Sequence, residues 1–222
     1  MKFFILQNPK AGAGEAVTDY VPVDRSPVGD APTCAVCGKY LGMLPLLPPV
    51  RVELEVWGAR LGDVAFGPGD QILISAKLKK LFVESGLLGF TRFDAVEVVK
   101  TKRHKSAVGE SPTYHLASIQ RSRAVVDGPA SGLVQEEAPT CAECCLDGAI
   151  KRVRRIILQP NTWSGEDVFF ARGLPGTIVV SERFKQLCEE NDLANCVLVA
   201  AEKSGFDHYP QEHATSGRRF EH

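Results

Sequence analysis

No stretch of this sequence is apolar for long enough to cross a bilayer as a helix. Neither sign of charge is in excess. Lys and Arg together number 26 and Asp and Glu 27, a formal net charge of −1. That balance supplies no global field to draw nucleic acid, an anionic membrane or an acidic substrate. The opening Met1-Lys2-Phe3-Phe4-Ile5-Leu6-Gln7-Asn8-Pro9 has an apolar run too short for a secretory core, so the expected compartment is the cytoplasm. Thiols stay reduced there, and seven cysteines, an odd number, suit a disulfide framework poorly.

Catalytic signatures are also missing. Ile5-Leu6-Gln7-Asn8-Pro9-Lys10-Ala11-Gly12-Ala13-Gly14 looks like the opening strand and glycine loop of lipid kinases. The later Gly-Gly-Asp-Gly phosphate loop is lacking, as is the Gly-Lys-Ser/Thr ending of a P-loop. This segment is therefore read as a flexible N-terminal turn. The five histidines, His104, His115, His208, His213 and His222, stand with no serine, cysteine or carboxylate in a catalytic order. No enzyme is expected.

What the chain does have is one phrase written twice. Ala31-Pro32-Thr33-Cys34-Ala35-Val36-Cys37-Gly38 returns as Ala138-Pro139-Thr140-Cys141-Ala142-Glu143-Cys144-Cys145. A CxxC turn aims two sulfurs the same way, and two such turns supply the four thiolates that tetrahedral zinc prefers. Cys34, Cys37, Cys141 and Cys144 are thus the expected ligands of one structural Zn2+, with iron the next choice for this donor set. A redox dithiol or two independent turns are the plainer alternatives. Cys145 stands where the first copy has Gly38 and reads as a spare thiol. Cys188 and Cys196 read as core cysteines.

The repetition extends further. Ile72-Leu73-Ile74-Ser75-Ala76-Lys77-Leu78-Lys79-Lys80-Leu81 parallels Ile178-Val179-Val180-Ser181-Glu182-Arg183-Phe184-Lys185-Gln186-Leu187. Trp57 and Trp163 share that spacing, as do Leu87 and Leu193, and Asp63-Val64-Ala65-Phe66 resembles Asp167-Val168-Phe169-Phe170. We expect an α+β fold of two pseudo-symmetric β-rich repeats, about 31–100 and 138–203, each with a short helix, joined at the four-cysteine site. Residues 1–203 would form one globular domain and 204–222 a loose tail.

Periodicity places the elements. Val50 to Val56 alternates apolar and charged, as a half-buried strand does. Ile72–Ile74 and Ile178–Val180 read as buried strands, each ending at a serine suited to cap a helix. Behind the caps, Leu78, Leu81 and Phe82, and Phe184, Leu187 and Cys188, form apolar stripes. Further strands are expected at Ala95–Val99, Tyr114–Ile119, Arg123–Val126, Val153–Leu158 and Cys196–Ala200. Residues 101–112 and 127–140 read as loops.

Together, the paired CxxC units, Tyr114-His115-Leu116, Ala124-Val125-Val126-Asp127 with Ser131, Asp167-Val168-Phe169 and Ile178-Val179-Val180-Ser181-Glu182-Arg183-Phe184 resemble the double-CXXCG motif proteins of myxobacteria. That family is regarded as immunity proteins for polymorphic toxins, including those of the Sit exchange system. The resemblance spans roughly residues 31–203 and departs from the motif at Cys145. It implies a non-enzymatic protein that binds one cognate toxin. Candidate contact faces are Lys100 to Thr113, Gly128 to Glu137 and Glu189-Glu190-Asn191-Asp192. The rival reading is a zinc-ribbon nucleic-acid-binding or regulatory protein, resting on Lys100 to Lys105 and Lys151-Arg152-Val153-Arg154-Arg155. Because no aromatics interleave with these basic residues, nucleic acid is the weaker partner.

Overall fold

A computed structural model of the protein describes residues 1–9, 16–23, 26–104 and 111–207. In chain order the strands are β1 (Phe3–Gln7), β2 (Ala16–Pro22), β3 (Val50–Gly58), β4 (Val64–Ala65), β5 (Ile72–Ser75), β6 (Phe90–Arg103), β7 (Tyr114–Val125), β8 (Val134–Gln135), β9 (Ile150–Val153), β10 (Val168–Arg172), β11 (Ile178–Ser181), β12 (Val197–Ala200) and β13 (Phe206–Asp207). The helices are α1 (Ala76–Glu84), α2 (Gly128–Ser131) and α3 (Glu182–Glu190). Among the described residues the fold is mostly β with three helices, as an α+β reading requires.

The main sheet runs β12-β1-β11-β10-β7-β6-β3-β2, with β5 on β7 and β4 on β5. β5 and β11 are continuously apolar up to their closing serines because both faces are covered. From β5, Ile72 and Ile74 point into a core beneath α1 and α3, while Leu73 enters a second core with Leu54, Tyr20 and Tyr114. From β11, Ile178 and Val180 enter the helix-covered core and Val179 enters a third, with Phe169 and Ile156. Alternating side chains thus bury on opposite faces of one pleated strand. Both helices begin as expected: Ser75 Oγ accepts from the Leu78 amide at 3.1 Å, and Ser181 Oγ from the Phe184 amide at 3.3 Å.

α1 and α3 are held by a reciprocal arrangement. Ser75 Oγ donates to Asp63 Oδ1 at 2.6 Å, and Ser181 Oγ donates to Asp167 Oδ1 at 2.6 Å. The second oxygen of each aspartate accepts an amide from the other half: Asp63 Oδ2 from Ala194 at 2.8 Å, Asp167 Oδ2 from Leu88 at 3.0 Å. Cations do the same between helix ends. Lys77 Nζ donates to the Asn191 carbonyl at 2.7 Å, and Arg183 Nη2 to the Ser85 carbonyl at 3.3 Å. A cation near a helix C-terminus complements its partial negative charge, so each helix steadies the other's end.

Several expectations need correction. The opening is not all loose turn. Residues 10–15 lie outside the described residues, but Ile5 to Gln7 lie in β1, which pairs antiparallel with both β11 and β12. It thereby stands to β11 as the start of β7 stands to β5, with Phe3 opposite Ser181 as Tyr114 is opposite Ser75. The sheet around α3 is completed by a strand from the far end of the chain. Trp57 and Trp163 are not equivalent, for Trp57 lies on β3 whereas Trp163 sits in the loop before β10, edge-on to Phe3. Tyr114–Ile119 and Arg123–Val126 merge into the single β7. Of Val153–Leu158, only Val153 belongs to a strand, and Leu158 makes an isolated bridge to Val126. The expected loop 127–140 contains α2, capped by Asp127, and β8. The expected tail begins ordered, since Ser204 is buried and β13 pairs with β9. Residues 208–222, with His208, His213 and His222, lie outside the described residues, as do 105–110.

Candidate metal centre

Each CxxC sits in a tight turn built by its own backbone. In the first, the Gly38 amide donates to the Cys34 carbonyl at 2.8 Å; in the second, the Cys145 amide donates to the Cys141 carbonyl at 2.9 Å. The next residue must then swing its amide back toward sulfur. The Lys39 amide reaches Cys37 and the Leu146 amide reaches Cys144. That reversal requires a left-handed backbone at the intervening position, with φ of 73° at Gly38 and 57° at Cys145. Glycine takes this conformation freely, and cysteine takes it at a cost. Cys145 stays half-buried, its thiol directed to the Ala142 carbonyl at 3.4 Å.

The two turns face one another. Cys34 Sγ lies 3.9 Å from Cys141 Sγ, and Cys37 Sγ lies 3.6 Å from Cys144 Sγ. All four sulfurs fall within 4.8 Å of one another. Around a metal at the Zn–S length of about 2.3 Å, a sulfur tetrahedron has edges of about 3.8 Å, so the donor set fits such an ion. The structure thus brings together all four cysteines singled out by their spacing. Cys34, Cys141 and Cys144 are buried with Leu146, and Cys37 is exposed.

The thiols are not alike. Amides of Cys144 and Glu143 pointing at the Cys141 sulfur lower its pKa to about 7. Burial pushes Cys144 up to about 12. A metal ion removes this asymmetry by displacing the proton from each donor.

A second tie lies beside the sulfurs. Lys39 Nζ reaches Asp147 at 2.5 Å and the Leu146 carbonyl at 3.3 Å, while Thr140 Oγ1 donates to Asp147 at 3.0 Å. The hydrogen bond to Asp147 raises the Lys39 pKa, and Lys39 holds the Asp147 carboxyl below the usual range. Sequence reasoning missed this pair. The lysine directly follows Gly38 and the aspartate lies two residues after Cys145, a weak signal without the turns in place. Beneath the centre a cleft of about 250 Å³ separates both turns from β7 and β10. Its two arginines are neutralised, Arg121 by Asp70 at 2.8 Å and Arg172 by Glu143 at 2.7 Å.

The model of an immunity protein family, designated Imm11, matches residues 64–203, more than half of the chain. The chain belongs to this immunity protein family. Among curated proteins none matches it. The Imm11 match starts at β4 and ends with the 3-10 turn Ala201–Lys203, so it takes in all three helices and the second CxxC but not the first. The family resemblance expected from the motifs therefore holds at the level of immunity proteins.

The remaining candidates scatter. His104 stacks on Trp57 with ring centroids 4.8 Å apart and contacts Glu55 at 2.6 Å. His115 lies on β7, its pKa lowered by burial and by Lys79. Cys188 and Cys196 pack into the core under α3. In the acidic turn, Glu189 is paired with Lys185 and Asp192 with Arg60. No helix among the described residues is long and apolar enough to cross a membrane.

Proposed function

We propose that this chain neutralises one cognate, contact-delivered bacterial toxin by binding it and covering its active surface, with no chemistry of its own. The family match carries the reading. The double-CXXCG resemblance refines it toward toxins of the Sit type, and the cytoplasm is the compartment in which such a toxin would be met. Reciprocal aspartate and cation contacts between α1 and α3 support a rigid scaffold, which a stoichiometric inhibitor needs to keep its binding face preorganised.

In this reading Cys34, Cys37, Cys141 and Cys144 hold one structural Zn2+. Four thiolates close the coordination sphere and leave no position for water, so the ion contributes to folding and not to catalysis. The chain arose by duplication of a unit seen at about 31–100 and 138–203 within one domain. Matching contacts around Ser75 and Ser181 support this, and β1 completes the second unit.

The test is growth rescue. Expressed with the toxin encoded by the adjacent gene, the chain should protect cells from that toxin and from no other. Protection from none would refute the reading. Retention on DNA columns that falls steeply with salt would instead favour the zinc-ribbon nucleic-acid reading, for which Arg154 and Arg155 are suitably exposed.

A further inference from the structure

Apolar exposure is concentrated in one place. Twelve large apolar side chains are well exposed among the described residues, and five of them fall between Val28 and Leu44, around the first CxxC. A random scatter would put about one there, since single exposed apolar groups are ordinary on any surface. Val28, Tyr40, Met43 and Leu44 line one hollow of about 850 Å³, to which Pro68 and Gly69 also contribute. Tyr40 is 74% exposed and Leu44 56%.

This exposed segment is held firmly. Leu47 donates to the Pro27 carbonyl at 2.8 Å, Gly29 to Pro45 at 2.8 Å and Leu41 to Pro32 at 2.7 Å. Side chains of the two residues just before β5 also fasten it. Asp70 accepts the Met43 amide at 3.0 Å, and Gln71 accepts the Leu46 amide at 2.7 Å. The apolar groups are therefore displayed on fixed backbone, which spares a partner the entropy of ordering them.

Charge at the hollow points to the occupant. Asp30 lines it and makes no salt bridge among the described residues. The neighbouring charges are already satisfied, Asp70 by Arg121 and Lys39 by Asp147. The hollow thus offers a broad apolar surface with one free negative charge. Most of its lining, from Val28 to Leu46, precedes residues 64–203, the part matched by the family model, and only Pro68 and Gly69 fall within it.

We propose that this hollow is the docking surface for the cognate toxin and receives an apolar segment that sets a lysine or arginine against Asp30. The proposal rests on the immunity reading and adds the contact face to it. Buried apolar anchors would supply the affinity, and Asp30 would steer the encounter.

The full chain is titrated with the purified toxin domain encoded by the adjacent gene. Leu44→Asp and Tyr40→Ala are expected to weaken binding by about tenfold or more, with metal content and melting temperature unchanged. Asp30→Lys is expected to slow association and reduce its dependence on salt. Val83→Asp, at another exposed apolar position on α1, should keep the parent affinity. Parent-like binding by Leu44→Asp and Tyr40→Ala overturns the docking surface and leaves the proposed function standing. Absence of binding by the parent chain overturns both. A parent dimer that Leu44→Asp converts to monomers assigns the hollow to a second copy of the chain and overturns toxin docking.

Discussion

Removing the Asp167 carboxylate tests the reciprocal lock between the halves. Asp167 is 1% exposed and accepts three hydrogen bonds: from Ser181 Oγ at 2.6 Å, the Leu88 amide at 3.0 Å and Arg183 Nη1 at 3.2 Å. Arg183 is more than half exposed, so water replaces its lost partner at little cost. The buried Ser181 hydroxyl is less fortunate. Leu88 is 58% exposed, so water can reach its amide; each unsatisfied buried donor costs about 1–3 kcal/mol, so Asp167→Ala should lower stability by about 2–3 kcal/mol. Asp167→Asn keeps an acceptor for only one of them and turns an amide NH2 toward the other, so it should recover little. Asp63→Ala strands the Ser75 hydroxyl and the Ala194 amide, both on buried residues. Its cost should be at least as large, about 2–5 kcal/mol. Urea midpoints with the m-value held as a check would measure both. A loss below about 1 kcal/mol for either variant would refute the argument from unsatisfied donors.

Three further outcomes are expected. Elemental analysis should find one zinc per chain, and Cys34→Ser should abolish it and lower stability by on the order of several kcal/mol, since metal binding energy in such sites is folding energy; full stability in the metal-free variant would rule out a structural ion. Cys145→Gly should stabilise the protein by about 0.5–1 kcal/mol, because a left-handed backbone costs an L-residue about 1–2 kcal/mol and glycine's extra entropy returns part of that; destabilisation in a thermal melt would mean the thiol has a task of its own. Alkali should unfold the chain through Tyr20 and Tyr114, whose buried hydroxyls donate to the Gln71 carbonyl at 3.0 Å and the Gly62 carbonyl at 2.7 Å. Burial raises both pKa values, so the stabilisation is complete below the unfolded pKa of about 10 and is lost as pH rises beyond it, by about 1.4 kcal/mol per pH unit for each tyrosine. Tyr20→Phe should make the loss shallower in urea titrations between about pH 9 and 12, and an unchanged slope would contradict the assignment.

Features that depend on neighbours in the chain were legible without coordinates. Ser75 and Ser181 cap their helices because a cap needs only its own side chain and an amide three residues on. Leu78 and Phe82, like Phe184 and Leu187, bury because helical spacing alone puts them on one face. β1 was hidden because its partners, β11 and β12, lie more than 170 residues away. Trp57 and Trp163 misled for the converse reason: equal spacing along the chain does not oblige two side chains to meet equivalent surroundings.

The amino-acid sequence by itself determined which atoms could hold a metal, because CxxC geometry is local and its repetition names four sulfurs. It determined the two capped helices for the same reason. Only the tertiary structure decided that those sulfurs meet within 4.8 Å, that Lys39 finds Asp147 beside them, and that the chain's first strand finishes the sheet under α3. These contacts join residues separated by about a hundred positions or more. Closing such loops costs entropy that no local signal encodes, and only the packed cores on both faces of the sheet offset it.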